Sequence, residues 1–345
     1  MGRFIGGRIG NFIQRQTNNY AEDGIHTISD QFYQKSLNGW KEGVSASGGD
    51  NIIEAASGYK YHVFKNPGSF ILNSVAPQVV DVLIVGGGGA GGNNQGGGGG
   101  GAGGVKFLNA HPISPGPYSI TVGDGGQANT STNSTPGLYS TYGGKESTAF
   151  GWTCGGGGAG SQYHSNFDPA QTTPNPGNSN YVRGCGGGGT GRSNVPGGDG
   201  LTTGGYCVSG GTPSDIDAGG GGGGAGGPAQ SSPGNYHAGD GGQGVAVPQF
   251  PSTDLAPAFP SVWANAVTST GYYAGGGGGG TELTNVANGQ GVGGVGGGGD
   301  GRHGGNSWPD DVKNGTDYTG GGGGGYGFTP DIWSTGGKGV VIIRY

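Results

Sequence analysis

The chemistry-bearing pattern that stands out first is Val80-Asp-Val-Leu-Ile-Val-Gly86-Gly-Gly88-Gly-Ala-Gly91, a strand running into G-x-G-x-x-G. That spacing lets a tight turn bring backbone N–H groups against a dinucleotide pyrophosphate, provided that a helix follows and offers its N-terminus. Here the chain continues Gly92-Asn-Asn-Gln-Gly-Gly, which cannot hold a helix, so nucleotide binding is set aside. A phosphate loop fails in the same way: Gly144-Lys145 is followed by Glu146 and Lys338 by Gly339, without the Ser or Thr that holds magnesium. The six histidines are scattered, with no H-x-H or H-E-x-x-H. Asp215 with Asp217, and Asp310 with Asp311, read as solvated turn carboxylates rather than calcium ligands. No nucleophile–base pair can be argued, so the sequence predicts neither an enzyme nor a metal or cofactor site.

Cys154, Cys185 and Cys207 match no zinc spacing. Cys154 and Cys185 each stand directly before a run of four glycines and so occupy equivalent places in two elements. A disulfide between them and two free buried thiols both fit, and synthesis in a cytoplasm favours the thiols.

Composition says what must position any site. Glycine supplies 94 of 345 residues and proline 19, about a third of the chain, without the strict triplet period of collagen. Only 30% of residues are hydrophobic and 10% charged, which leaves neither a large side-chain core nor a self-repelling disordered chain. The net charge is −6, and from Glu146 onward there are 13 acids against 6 bases. An acidic body without Arg-Gly-Gly triplets excludes general nucleic-acid binding. The first 21 residues, by contrast, carry Arg3, Arg8 and Arg15 and no acid. No secretory signal, myristoylation site or bilayer-spanning run is visible, so the sequence predicts synthesis in a cytoplasm and no membrane insertion.

Residues 1–57 contain few glycine clusters and read as a separate N-terminal segment; residues 58–345 read as a glycine-rich domain. In the latter, Tyr59–Phe64, Ser69–Leu72, Val79–Val85, Val105–Leu108, Tyr118–Val122 and Val340–Tyr345 are strand-like, with the last strand returning to join the earlier ones. Between them lie eight glycine runs: 86–89, 96–101, 155–158, 186–189, 219–224, 275–280, 296–299 and 320–325. Ordering glycine costs more backbone entropy than ordering any other residue, so an ordered run needs strong compensation that side chains cannot supply. Polyglycine II helices, three residues per turn, can supply it by satisfying one another's N–H and C=O groups side by side. Flexible linkers would intersperse serine, which is nearly absent inside these runs. The expected fold is therefore mainly β, a β-sandwich-like frame with an inserted polyglycine II bundle, long loops and little or no α-helix. If successive runs alternate in direction, one end of the bundle collects 93–95, 159–183, 228–274 and 300–319. The other collects 105–154, 190–218, 281–290 and 326–338 beside the strands.

The loops carry the aromatic residues. Tyr163, His164 and Phe167 lie in one, Tyr236, Phe259, Trp263, Tyr272 and Tyr273 in the longest, and Trp308 in a third. Tyr and Trp give rigid contact area at low entropy cost, which suits recognition, although capping a bundle without a side-chain core would use the same residues.

Tyr61-His-Val-Phe with Gly68-Ser-Phe, Val82-Leu-Ile-Val-Gly-Gly-Gly-Gly-Ala-Gly-Gly, Tyr118-Ser-Ile-Thr-Val-Gly-Asp-Gly-Gly and the closing Gly339-Val-Val-Ile-Ile-Arg-Tyr resemble the glycine-rich domains of bacteriophage tail fibres and adhesins. Gly97-Gly-Gly-Gly-Gly-Ala-Gly-Gly-Val extends the likeness, and residues 24–40 resemble a short segment of phage virion proteins. The resemblance implies a virion tail appendage that attaches to the host cell surface, through a glycan or an outer-membrane protein. It further implies docking on other tail or fibre subunits, for which Arg3, Arg8 and Arg15 are the candidates, and it is compatible with a homotrimer. Two rivals remain at this point: a structural appendage subunit that recognises nothing, and an ice-binding protein. The latter wants Ala or Thr at every third position, which the runs do not show.

Overall fold

The computed structural model describes residues 44–93, 96–127, 142–161, 179–191, 196–198, 208, 210–213, 217–234, 236–282, 289–304, 313–327 and 334–345. Its strands are β1 (Ala46–Ser47), β2 (Asn51–Glu54), β3 (Lys60–Phe64), β4 (Gly68–Leu72), β5 (Gln78–Val85), β6 (Val105–Ile113) and β7 (Gly116–Ile120). Further along come β8 (Ser147–Ala149), β9 (Trp152–Cys154), β10 (Tyr181–Val182) and β11 (Val245–Ala246). Two short helices follow, α1 (Ser252–Leu255) and α2 (Ser261–Val267), then β12 (Tyr272–Tyr273) and β13 (Val340–Arg344). The fold is mainly β with little α-helix, as the sequence predicts.

The frame is built around a five-stranded antiparallel sheet in the order β2-β3-β13-β5-β6. Its middle strands, Val340-Val-Ile-Ile and Val82-Leu-Ile-Val, are unbroken apolar runs because both faces of the sheet are covered. On one face Phe64, Val82, Ile84, Val341 and Ile343 meet Phe70, Leu72 and Ile120 of a second sheet, β1-β4-β7. On the other, Tyr61, Val63, Leu83, Val85 and Ile342 pack against Phe250, Leu255, Trp263, Val267 and Tyr273. Arg344 binds Asp81 (2.9 Å) and donates to the Gln249 carbonyl (2.8 Å), which ties β13 to β5 and to the helical layer. β1 and β2 belong to these sheets, so the expected boundary at residue 57 falls inside the frame and not ahead of it. Residues 1–43, including Arg3, Arg8, Arg15 and the segment 24–40, lie outside the described residues.

From the ends of β5, β6 and β13 the backbone passes into glycine rods whose hydrogen bonds repeat every third residue. Gly86, Gly89 and Gly92 donate to Gly104, Gly101 and Gly98; Gly87 and Ala90 donate to Lys145 and Tyr142; Gly88 donates to Gly337. One rod thus has three faces, each bonded to a different neighbour. The next, Gly97–Gly104, does the same with Gly320–Tyr326, with Gly155–Ser161 and with Gly220–Gly223. This is polyglycine II packing, and at most of its glycines it leaves no room for a side chain. A Cβ on Gly222 would lie 1.9 Å from the Gly100 oxygen, and one on Gly277 would lie 2.0 Å from the Gly323 oxygen.

The expected strict alternation of runs does not hold. Gly155, Gly158 and Ser161 donate to Val182, Cys185 and Gly188, and Gly275 and Gly278 donate to Gly296 and Gly299, so the consecutive runs 155–158 and 186–189 are parallel, as are 275–280 and 296–299. The reason is that mixed segments also serve as rods. Residues 142–145, 237–244, 289–294 and 334–339 bond into the bundle as return strokes between the pure runs.

Candidate functional site at the distal end of the bundle

The corrected directions divide the molecule into two poles. At the frame pole, Ala46 pairs with Leu72 and the Ser45 carbonyl accepts from Asn73 and Ser74, so residues 1–43 join the fold there. The rods leave the opposite ends of the strands. A rod such as 86–93 carries the chain roughly 25 Å further at about 3.1 Å per residue.

The longest aromatic loop, 228–274, is split between the poles. Residues 245–273 return to the frame, where Trp263 and Tyr273 are fully buried and belong to the core. The Trp263 indole stacks on Phe259 with centroids 4.0 Å apart, and its N–H donates to the Tyr318 carbonyl (3.1 Å). Tyr273 donates its hydroxyl to the Phe250 carbonyl (2.8 Å), and burial holds its pKa well above the ordinary phenol range. Trp263 and Tyr273 are therefore corrected from contact residues to structural ones: the apolar outer face of the five-stranded sheet needs a cover, and this loop supplies it. Phe259 and Tyr272 are half-buried at the same pole. Tyr236 alone among the described aromatic candidates stands at the distal end, 40% exposed. Tyr163, His164, Phe167 and Trp308 lie outside the described residues.

The distal end is built from residues that terminate rods. Thr281, directly after the run 275–280, is fully buried; its N–H donates to the Arg302 carbonyl and its hydroxyl to the Tyr236 carbonyl (2.8 Å). A parallel bridge joins Thr281 to His303 and an antiparallel one joins it to Ala218. Tyr326 closes the run 320–325, and the Arg302 guanidinium lies 5.3 Å from its ring centroid. Gln290 follows Gly289, whose carbonyl accepts from Ala238 beside His237. Tyr236, His237, Gln290, Arg302, His303 and Tyr326 thus share one end, and only Tyr236 was picked out by loop composition. The signal that could have found the others is position: each closes or abuts a rod at its distal end.

Tyr236 has φ +66°, the left-handed region that side chains rarely adopt. The turn that imposes it is closed by His237 N–H to the Gly234 carbonyl (3.2 Å) and by the Ser232 hydroxyl to the His237 carbonyl (2.7 Å). Chemically, the end offers aromatic rings, imidazole, amide and guanidinium groups on a rigid backbone, a set suited to binding. Among the described residues no three His, Cys, Asp or Glu side chains come together to hold a metal ion, and no helix is long and apolar enough to cross a membrane.

The cysteines differ from the expected pair. Cys154 is free and buried, with burial pushing its thiol pKa up, whereas Cys185 is disulfide-bonded.

Residues 65–345 match the glycine-rich domain family, and the chain belongs to that family. No curated protein matches it.

Proposed function

We propose that this glycine-rich protein is a non-enzymatic attachment protein, a bacteriophage tail fibre or fibre-tip subunit that holds a virion to a bacterial surface through the distal end of its rod bundle. The observation that carries the reading is polarity. The N-terminal segment joins the fold at the frame pole, while the rod-terminating side chains and exposed Tyr236 gather at the opposite pole. A bundle held by interlocked backbone hydrogen bonds is a stiff spacer whose end can vary without disturbing its interior. The Cys185 disulfide supports the same reading, since disulfides persist where a protein works outside the reducing cytoplasm. Basic residues Arg3, Arg8 and Arg15 would then dock on another virion protein.

The test is binding of purified, labelled protein to a panel of bacterial strains, beside a Tyr236→Ala/Arg302→Ala double variant shown to be folded by thermal melting. Selective binding that weakens in the variant supports attachment through the distal end. A folded protein that binds no strain points instead to a structural appendage subunit. Deleting loop 228–274 is unsuitable, because it would remove Trp263, Tyr273 and the cover of the central sheet.

A further inference from the structure

We infer that His62 is an acid-sensitive latch: its protonation releases β1, and with it the root of the N-terminal segment, from the frame while the glycine bundle stays closed.

Three observations carry it. First, His62 holds β1 from both ends. Its fully buried ring lies against the turn that takes the chain from β1 in the small sheet to β2 in the five-stranded one. Nδ1 is 2.7 Å from the Gly48 carbonyl and Nε2 is 3.0 Å from the Tyr345 hydroxyl. The Ala46 backbone bonds that same hydroxyl. The crossing is tight, since Gly48 has φ +104° and a Cβ there would lie 2.0 Å from the Ser69 oxygen.

Second, the site is built for a neutral imidazole. A carbonyl only accepts, so Nδ1 carries the hydrogen and Nε2 accepts from Tyr345. A second proton turns Nε2 into a donor, forces the Tyr345 hydroxyl to reverse and leaves a buried charge without a counter-charge. Among the described residues no carboxylate bonds the ring, and the charged groups around it are occupied. Lys60 of its own strand pairs with Glu54 of β2 (2.8 Å), and Asp50 of the turn accepts the Lys65 N–H (2.6 Å) and the Asn66 N–H (3.0 Å). Arg344 of β13 is bound to Asp81 (2.9 Å). β4 and β7 bring Phe70 and Tyr118, and His111 of β6 reaches this cluster only through Phe150. Burial lowers the His62 pKa against the Gly48 bond, and Lys60 lowers it further. The latch is therefore fully closed above the ordinary imidazole value of about 6.5 and opens as pH falls through the lower folded value.

Third, β1 can leave by itself. It is two residues long, stands at the edge of its sheet and pairs only with β4, through Ala46 to Leu72 and Ser47 to Ile71. The rods are joined by backbone N–H and C=O groups, which do not titrate in this range. Under the attachment reading, the released element is the root of the segment that docks on the virion; the latch itself does not depend on that reading.

The experiment is hydrogen exchange read by mass spectrometry on the full chain between pH 7.5 and 5.0, corrected for the intrinsic pH dependence of exchange. Protection over residues 44–50 should fall at least tenfold more than protection over 97–104. The pH response should disappear in His62→Gln, which stays neutral, and persist in His111→Phe. Unchanged protection over 44–50 overturns the latch, as does an equal loss in both segments. A folded His62→Gln that still responds, or a His111→Phe that does not, also overturns it. Should His62→Gln fail to fold, an NMR titration of the wild-type His62 ring decides: its midpoint must match that of β1 release, and a gap of about one pH unit or more refutes the latch. Cell binding is not part of this readout, so failure of the attachment test leaves the result standing.

Discussion

Adding one methyl group to the middle of the bundle tests whether interlocked rods hold it together. Gly100 donates to the Gly323 carbonyl (2.7 Å) and accepts from Gly277 (2.9 Å), and the Gly222 and Gly322 positions close on its own carbonyl. A Cβ at Gly100 would sit 2.2 Å from the Gly89 oxygen and 2.8 Å from the Ala90 oxygen. Both are backbone atoms that cannot rotate away, so the two rods must part by about 1 Å to reach ordinary contact. That stretches the Gly89–Gly101 bond and its neighbours in the ladder. Two or three buried bonds weakened at about 1 kcal/mol each, plus overpacking of about 1–3 kcal/mol, exceed the ~0.4–1 kcal/mol gained by restricting the unfolded chain. Gly100→Ala should therefore destabilise by about 3–5 kcal/mol and lower Tm by on the order of 10 °C. The control is Gly143→Ala, where the nearest atom to a new Cβ is the Gly157 oxygen at 3.5 Å, ordinary contact. It should melt close to the wild type. Differential scanning calorimetry of both variants decides the matter; equal melting temperatures would refute close rod packing as the source of order.

Three further outcomes follow from the frame and its cross-link. Trp263→Ala, by emptying the cover of the central sheet, should cost about 3–5 kcal/mol in urea unfolding, while cell binding per folded molecule stays unchanged. His62, buried between the Gly48 carbonyl (2.7 Å) and the Tyr345 hydroxyl (3.0 Å), has its pKa lowered chiefly by that burial. The unfolded chain then takes up the proton first, so the His62 contribution is complete above about pH 6.5 and drains away as pH falls through the lower folded value. Melting temperatures from pH 7.5 to 5 should fall more steeply for the wild type than for His62→Gln, and parallel slopes would contradict this. Reduction of the Cys185 disulfide should lower stability by about 2–4 kcal/mol in a thiol-titrated melt, with Cys154 staying unreactive until unfolding.

The sequence by itself determined the frame and the principle of the bundle. Unbroken apolar runs such as Val82–Val85 and Val340–Ile343 can only be strands covered on both faces, and serine-free glycine runs are intelligible only if backbones satisfy one another. Local period and composition carry that information. Direction and address did not follow from it. Whether a run goes out or back depends on return strokes such as 142–145 and 334–339, whose mixed composition gives no local sign that a neighbouring rod will accept their hydrogen bonds. Trp263 and Tyr236 sit in one loop with similar surroundings in the chain. The first is buried because the Val63, Leu83 and Ile342 face needed a cover, and the second is exposed because a turn lifts it at the far end of a rod. Burial is decided by which surfaces meet, and those meetings join residues far apart in sequence, so only the tertiary structure could separate core from contact surface.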